Sequence, residues 1–280
     1  MSQPPEYSYH PESSQQLLYS SQQPYADNSL SPDKAKNGPV ESLGSIDEIP
    51  LLNSSTVSES CVTIRIAFLR KVYLLLSLQL LWTIVLCVLF YCIPSWKEFA
   101  ETSLAAMIVS IVLTFVFLGL CIYFQRKHPW NLVLLTCFTL CIGYSVAITV
   151  GRYSVLVIME SLVITAAIFL SLTVYTLTSK RDFTGWGPAL SVVLMGLVFT
   201  MIVQLFLAFV FGIRSTVFDI IISCVTAILF SLYIVYDTYM IFNKYSPEEY
   251  IMAVISLYLD TINLFLAILR LVGAANGEGR

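Results

Sequence analysis

The chain has 280 residues, of which 57% are hydrophobic and only 12% are charged. Soluble domains carry about 25% charged residues, so a water-soluble fold could not bury this much apolar surface. The composition therefore predicts a polytopic membrane protein. A net charge of −3 gives no basis for nucleic acid as a partner.

Residues 1–60 are rich in Ser, Pro, Tyr and Gln and poor in branched aliphatic residues. Such a segment buries too little apolar surface to offset the entropy of ordering, so we expect a disordered cytosolic tail. Two short patterns in it suggest partners, a WW-domain ligand and an acidic dileucine signal for sorting adaptors. A plain linker is the alternative. The WW-ligand motif comprises Pro4, Pro5 and Tyr7, and the sorting motif comprises Asp47, Leu51 and Leu52.

From Val72 onward, apolar runs of about 20 residues alternate with short polar breaks, and about 20 helical residues cross the hydrocarbon core of a bilayer. The N-terminal residues lack the basic start and apolar core of a signal peptide, so we expect the first span to act as its own insertion signal. We expect residues 61–275 to form one all-α transmembrane domain, followed by a short tail over 276–280. The runs predict a bundle of seven transmembrane helices near 72–93, 103–124, 131–150, 154–178, 188–211, 216–242 and 250–272.

Basic residues beside the spans set the expected orientation, because the side that carries more of them stays in the cytosol. One side has Arg65, Arg70, Lys71, Arg126, Lys127, Lys180, Arg181 and Lys244, and the other has Lys97, Arg152 and Arg214. The N-terminus is therefore expected in the cytosol. Seven full spans would leave Arg270 and Arg280 on the opposite side, where they fit poorly. A re-entrant last segment is thus an alternative.

Two carboxylates lie within the last two apolar runs, Asp237 and Asp260. A charge at bilayer depth costs about 2.5–3.5 kcal/mol, so such residues normally face a polar interior and have a function. Residues 246–249, Ser-Pro-Glu-Glu, predict a helix start, so the two runs form an antiparallel hairpin. The depths of the two carboxylates differ by roughly 10 Å on upright helices at a rise of 1.5 Å per residue. Tilt could close that gap.

If the two carboxylates meet, they cannot both ionise cheaply in a low dielectric, so they would share one proton. The shared proton would hold two helices together, and its loss would open them or expose a site for Ca²⁺. Asp237 and Asp260 are therefore candidates for a pH-sensitive gate and for a Ca²⁺ or proton site. The alternative is that each Asp bonds a nearby group such as Tyr233, Tyr236 or Asn263 and only holds helices together.

Other charged residues support a polar interior. Glu160 lies early in the fourth span and is a candidate for the ion pathway, with interface position as the alternative. Arg126 and Arg270 are candidate counter-ions for the carboxylates. The seven cysteines show no metal-ligand spacing, so no cofactor is expected. Ca²⁺ and H⁺ would enter only as transported or regulatory ions.

Three stretches of the C-terminal half resemble the transmembrane Bax inhibitor motif family. They are Phe230–Asp237, residues 246–250 (Ser-Pro-Glu-Glu-Tyr) and Ser256–Phe265, and residues 180–184 (Lys-Arg-Asp-Phe-Thr) are similar to a loop of the same family. The likeness is closest to its lifeguard, or Golgi anti-apoptotic, branch.

The resemblance implies a seven-helix bundle that leaks Ca²⁺ from intracellular stores under pH control and protects against cell death, including death from endoplasmic reticulum stress. It also implies that Asp237 and Asp260 are the gating pair, with Arg270 and Arg126 as basic partners. Bacterial members of the family also carry an acid in the second span, and this chain has only Thr114 near that place, so the resemblance does not extend to that acid. The expected location is an endomembrane: the vacuole or late endosome, the Golgi or the endoplasmic reticulum.

Three rival interpretations remain at this stage. An intramembrane aspartyl protease also has two Asp on adjacent spans, but Leu-Tyr-Leu precedes Asp260 where the protease has Gly-x-Gly, so we predict that the protein is not an enzyme. A seven-helix receptor would suit the glycosylation pattern at Asn53, but the basic cluster before the first span argues against it. A non-transporting scaffold would regulate apoptosis or the unfolded protein response through apoptosis-regulator proteins.

Overall fold

The computed structural model describes residues 54–93, 104–212 and 215–278, and the tail motifs at residues 4–7 and 47–52 lie outside them. Within the described ranges there are seven α-helices and no strand, which confirms the predicted all-α fold class. Two short 3₁₀ turns, Thr184–Trp186 and Pro247–Glu249, precede the fifth and seventh helices. The helices are α1 (Ser54–Cys92), α2 (Leu104–Tyr123), α3 (Trp130–Val150), α4 (Val155–Thr178), α5 (Gly187–Phe211), α6 (Thr216–Asn243) and α7 (Tyr250–Ala275).

The lengths and compositions of the helices suit a membrane. Six of them, α1 and α3 to α7, are long and apolar enough to cross a bilayer, and α2 carries a shorter apolar stretch over Ile108–Tyr123. Helix α1 begins at Ser54, well before the first span predicted at Val72. No Gly or Pro between these two residues ends the helix, so it continues beyond its apolar part.

Helix α7 lies at the centre of the bundle, where it packs against α1, α3, α4 and α6. It is 72% buried over its most apolar stretch, whereas α5, which packs on α6, is 6% buried. The mean hydropathy of α7 is nevertheless 2.0, lower than the 2.5 of α5. The central helix is the less apolar of the two because lipid surrounds the bundle. A helix that faces lipid must be apolar on its outer side, whereas a polar side chain costs less free energy inside the bundle.

Hydrogen bonds between buried side chains join the central helices. The hydroxyls of Thr83 and Tyr258 are 2.8 Å apart and join α1 to α7. Asn131 Nδ2 donates to the Tyr250 hydroxyl over 2.7 Å and joins α3 to α7. Such bonds contribute about 0.6 to 2 kcal/mol each in membrane proteins, so the polar residues of α7 fix its position among its neighbours.

The connections after α2, α4 and α6 meet at one end of the bundle, which we call the Arg126 end. Arg126 Nε lies 3.7 Å from Glu248 Oε2, which brings the α2–α3 and α6–α7 connections together. Asp182, in the α4–α5 connection, contacts the hydroxyl of Tyr239 near the end of α6. These contacts are expected when successive helices run in opposite directions, because every second connection then lies at the same end of the bundle.

The opposite end, which we call the Tyr153 end, holds the α3–α4 connection and the C-terminal residues. The Ser154 amide donates to Glu278 Oε2 over 2.8 Å, which ties the C-terminal segment to the start of α4. Helix α7 runs for 26 residues to Ala275 without a break. The last segment is therefore a full helix, and the re-entrant alternative is not observed.

Asp182 fixes the α4–α5 connection over α6. The amide of Thr184 donates to Asp182 Oδ1 over 2.8 Å, and Tyr239 contacts the same carboxylate. The hydrogen bonds from the Thr184 side chain and amide lower the pKa of Asp182 to about 2. A carboxylate whose pKa is depressed on folding stabilises the fold above its unfolded value of about 3.9 and loses that contribution as the pH falls through about 2. The Asp182 carboxylate is thus ionised at mildly acidic as well as at neutral pH.

We expect Asp182→Ala to speed hydrogen exchange of the Thr184 amide at neutral pH, because that amide loses its acceptor. Asp182→Asn is the matched control, since its side-chain oxygen can still accept the bond. Hydrogen-exchange mass spectrometry of peptides over 180–187 measures both. Equal exchange in the Ala and Asn variants would show that the side chain does not hold this connection.

Candidate ion and proton site

Asp237 and Asp260 meet inside the bundle, as the sequence predicted they could. Asp237 is 8% exposed and Asp260 is 5% exposed, and their carboxyl groups lie within hydrogen-bonding distance. Helices α6 and α7, which carry them, pack along each other more extensively than any other pair. The contact means that the two helices are inclined or offset, because two level, upright helices would separate these carboxyls by roughly 10 Å.

The local sequence explains why the two helices pair. The capping box predicted at Ser246 is present: Ser246 accepts from the N3 backbone, and its own amide donates to Glu249 Oε2 over 3.0 Å. Pro247 occupies the first turn, where its missing N–H has no cost. Helix α6 ends at Asn243, so very few residues reverse the chain and α7 returns directly along α6.

Ser256 is a third member of the site, beside Asp237, and sequence reasoning missed it. It lies one turn before Asp260 on α7, so both side chains share a face, and its hydroxyl contacts the carboxyl of Asp237. Its spacing of four residues from Asp260 was the one available signal. Asp260 Oδ2 is buried without a hydrogen-bond partner. A buried carboxyl oxygen in that state calls for a proton, a water molecule or a cation.

A second group of buried hydroxyls lies in the same bundle. The Tyr73 hydroxyl on α1 lies near those of Thr173 on α4 and Thr238 on α6, and Thr238 directly follows Asp237. None of the three hydroxyls has a hydrogen-bond partner of good geometry. Three polar groups that converge from three helices suit a bound water, which typically makes about three hydrogen bonds.

The other predicted site residues lie elsewhere. Arg126 faces Glu248, with side chains that are 67% and 72% exposed. Arg270 is exposed and acts electrostatically on Tyr153, at the opposite end. Glu160 is exposed on α4, in an open apolar groove. Within the described part of the chain, no ion pair joins either arginine to the two Asp residues.

The alternative partners proposed for the carboxylates are engaged in other contacts. Asn263 donates to the Leu259 carbonyl over 2.8 Å, and Tyr233 contacts Ser191. The hydroxyl of Tyr236 lies against the backbone of Gly187, where an added Cβ would stand 2.6 Å away. Asp237 and Asp260 therefore interact chiefly with each other and with Ser256.

The site does not form a closed metal cage. Among the residues that the structure describes, no group of three or more His, Cys, Asp or Glu side chains is placed to hold a metal ion. Ca²⁺ takes about 6–8 oxygen ligands, whereas this site offers two carboxyls and one hydroxyl. The arrangement suits brief contact with a hydrated ion better than a resident one.

Comparison with known proteins identifies the family. A family model described as inhibitor of apoptosis-promoting Bax1 matches residues 65–277, which hold the Asp pair and nearly all of the helical bundle. The chain belongs to the Bax inhibitor family. This confirms the resemblance seen in the sequence.

Curated members of the Bax inhibitor family match over most of their length. Protein lifeguard 4 of Mus musculus is 39% identical over 222 residues, covering 79% of this chain and 91% of the relative. The Golgi anti-apoptotic protein of Vaccinia virus (strain Lister) is 40% identical over 226 residues, with the same coverage of 79% and 91%. Bax inhibitor 1 of Schizosaccharomyces pombe is 35% identical over 222 residues, covering 79% of this chain and 81% of the relative.

Proposed function

We propose that this Bax inhibitor family protein is a pH-sensitive Ca²⁺ leak channel of intracellular membranes, with its N-terminus in the cytosol. The observation that carries the proposal is the contact between the carboxyl groups of Asp237 and Asp260 in the interior of the helical bundle. Buried acids of this kind mark ion and proton pathways in membrane proteins. The family description and the name of the viral relative, Golgi anti-apoptotic protein, support a role in protection against cell death, which a lower Ca²⁺ load in the stores would serve.

Whether Asp237 and Asp260 share a proton determines whether the gate is closed or open. With one proton between them, the two carboxyls hydrogen-bond and hold α6 against α7. When that proton leaves, two like charges stand in contact and repel each other. At about 4 Å and an effective dielectric constant of about 20, this repulsion is about 4 kcal/mol, which exceeds the strength of a typical interhelical hydrogen bond. The helices then separate at the pair.

The opened state also attracts the ion. Two ionised carboxylates present oxygen ligands to Ca²⁺, and the Ser256 hydroxyl adds another beside them. Ca²⁺ is the cargo, driven by its own gradient out of the store, so no energy source is needed. The rate of the Ca²⁺ leak therefore increases as the pH rises through the range in which the Asp237–Asp260 pair loses its proton.

We expect liposomes loaded with Ca²⁺ and containing the purified full chain to lose Ca²⁺ faster than protein-free liposomes, and more so at pH 8 than at pH 5. An external fluorescent indicator measures the rate, and an ionophore added at the end gives the total. If the rate of Ca²⁺ loss equals that of protein-free liposomes at every pH, the proposed leak channel is wrong and the non-transporting scaffold is the better interpretation.

A further inference from the structure

The backbone of Tyr245 is held by hydrogen bonds to the end of α6 and by the capping box that follows it. Its amide donates to the Met240 carbonyl over 2.9 Å, and that carbonyl also accepts from Lys244 over 2.8 Å. The next residue, Ser246, opens the capping box of the last helix. The backbone of Tyr245 is therefore held between the end of α6 and the start of the α7 segment, which leaves its side chain a narrow choice of directions.

The side chain of Tyr245 points inward from this connection. It is half-buried and packs against the hydrophobic core, and its hydroxyl contacts Ser256. Because Ser256 also contacts Asp237, side chains form a continuous line from Tyr245 through Ser256 to the two carboxyls. Burial, and then the charge of Asp237, raises the pKa of Tyr245 to about 12, so its hydroxyl keeps its proton and can donate.

We propose that Tyr245 is a cap that closes the Asp237–Asp260 pair at the Arg126 end, with Ser256 holding the cap in place. This inference rests on the proposed leak and adds the group that controls access to its gate. The groups that face the cap are Asp237 and Tyr236 from α6, Ser256 from α7, and Glu249 from the turn between them. An ion or proton that approaches the pair from this end must displace the Tyr245 ring.

Accessibility of the two carboxyls tests the cap without any need for Ca²⁺ flux. The full chain in nanodiscs is treated with a water-soluble carbodiimide and a small amine at mildly acidic pH, and labelling of Asp237 and Asp260 is followed by peptide mass spectrometry. We expect slow labelling in the wild type. Tyr245→Phe should label up to about tenfold faster, because loss of one hydrogen bond shifts an opening equilibrium by up to about that factor. Tyr245→Ala, which removes the whole ring, should label faster still.

Tyr123→Ala is the matched control, since Tyr123 is 75% exposed at the end of α2 and should leave labelling unchanged. Ser256→Ala should behave like Tyr245→Phe, because it removes the other half of the same hydrogen bond. Tyr245→Phe keeps the ring, so it tests the cap even if the Ala variant does not fold. Labelling at the wild-type rate in both Tyr245→Phe and Ser256→Ala would overturn the proposal.

The same variants separate the cap from the leak. In Ca²⁺-loaded liposomes, Tyr245→Ala should increase the leak at every pH, because one barrier is gone. Faster labelling without Ca²⁺ flux in any variant would support the cap and contradict the channel. A pH-dependent leak together with unchanged labelling would keep the channel and overturn the cap.

Discussion

Replacement of Asp260 by Asn should abolish the rise of the Ca²⁺ leak between pH 5 and pH 8. The amide cannot ionise, so the repulsion that opens α6 from α7 never develops, and Asp237 keeps a hydrogen-bond partner at every pH. The repulsion is worth about 4 kcal/mol, and each 1.4 kcal/mol is a factor of ten. We therefore expect the leak of Asp260→Asn at pH 8 to be at least about tenfold slower than that of the wild type. Asp237→Asn should act in the same way, and flux from Ca²⁺-loaded liposomes measures both.

The control for these variants is Asp219→Asn, which makes the same chemical change on the same helix. Asp219 lies in the first turn of α6, accepts a hydrogen bond from Gln204 and belongs to the opposite end. Its replacement should leave the pH profile of the leak unchanged. Glu160→Gln should also leave the pH profile unchanged, because Glu160 is exposed on α4 and lies away from the Asp pair. Wild-type pH profiles in both Asp237→Asn and Asp260→Asn would contradict the proposed gate.

The hairpin and its carboxylates were predictable because their signals are local. A capping box is read from four consecutive residues, and a carboxylate stands out in an apolar run whatever surrounds it. The same holds for the seven helices of the described residues, since each apolar run predicts one helix from its own length, although only six of the seven are long and apolar enough to cross a bilayer. These features need no knowledge of which helix packs against which.

The central position of α7 was not predictable in this way. In a soluble protein an apolar face indicates the buried side of a helix, but a membrane-spanning helix is also apolar where it faces lipid, so an apolar face carries little information about packing. The interactions of Tyr245 with Ser256, and of Arg126 with Glu248, join residues from separate elements. Only tertiary packing brings such residues together. The start of α1 was placed too late for a related reason, because hydropathy marks depth in the membrane rather than the end of a helix.

Replacement of Gly273 by Val should destabilise the bundle at the Tyr153 end. An added Cβ at Gly273 would lie 2.3 Å from Cε1 of Tyr153, far inside van der Waals contact. Tyr153 is itself packed against the core, so its ring cannot move away freely. Overpacking of this kind costs about 1–3 kcal/mol, more than the helix propensity that Val gains over Gly. Unfolding in mixed detergent micelles measures the change in the free energy of unfolding.

Gly196→Val is the control for this substitution. Gly196 lies within α5, and nothing stands within 4 Å of an added Cβ there, so only helix propensity changes. We expect its free energy of unfolding to shift by less than about 0.5 kcal/mol. A double variant with Tyr153→Leu should recover much of the stability lost in Gly273→Val, because the smaller side chain frees the space. If Gly273→Val and Gly196→Val have the same free energy of unfolding, the close contact between Gly273 and Tyr153 does not determine how α7 packs against the α3–α4 connection.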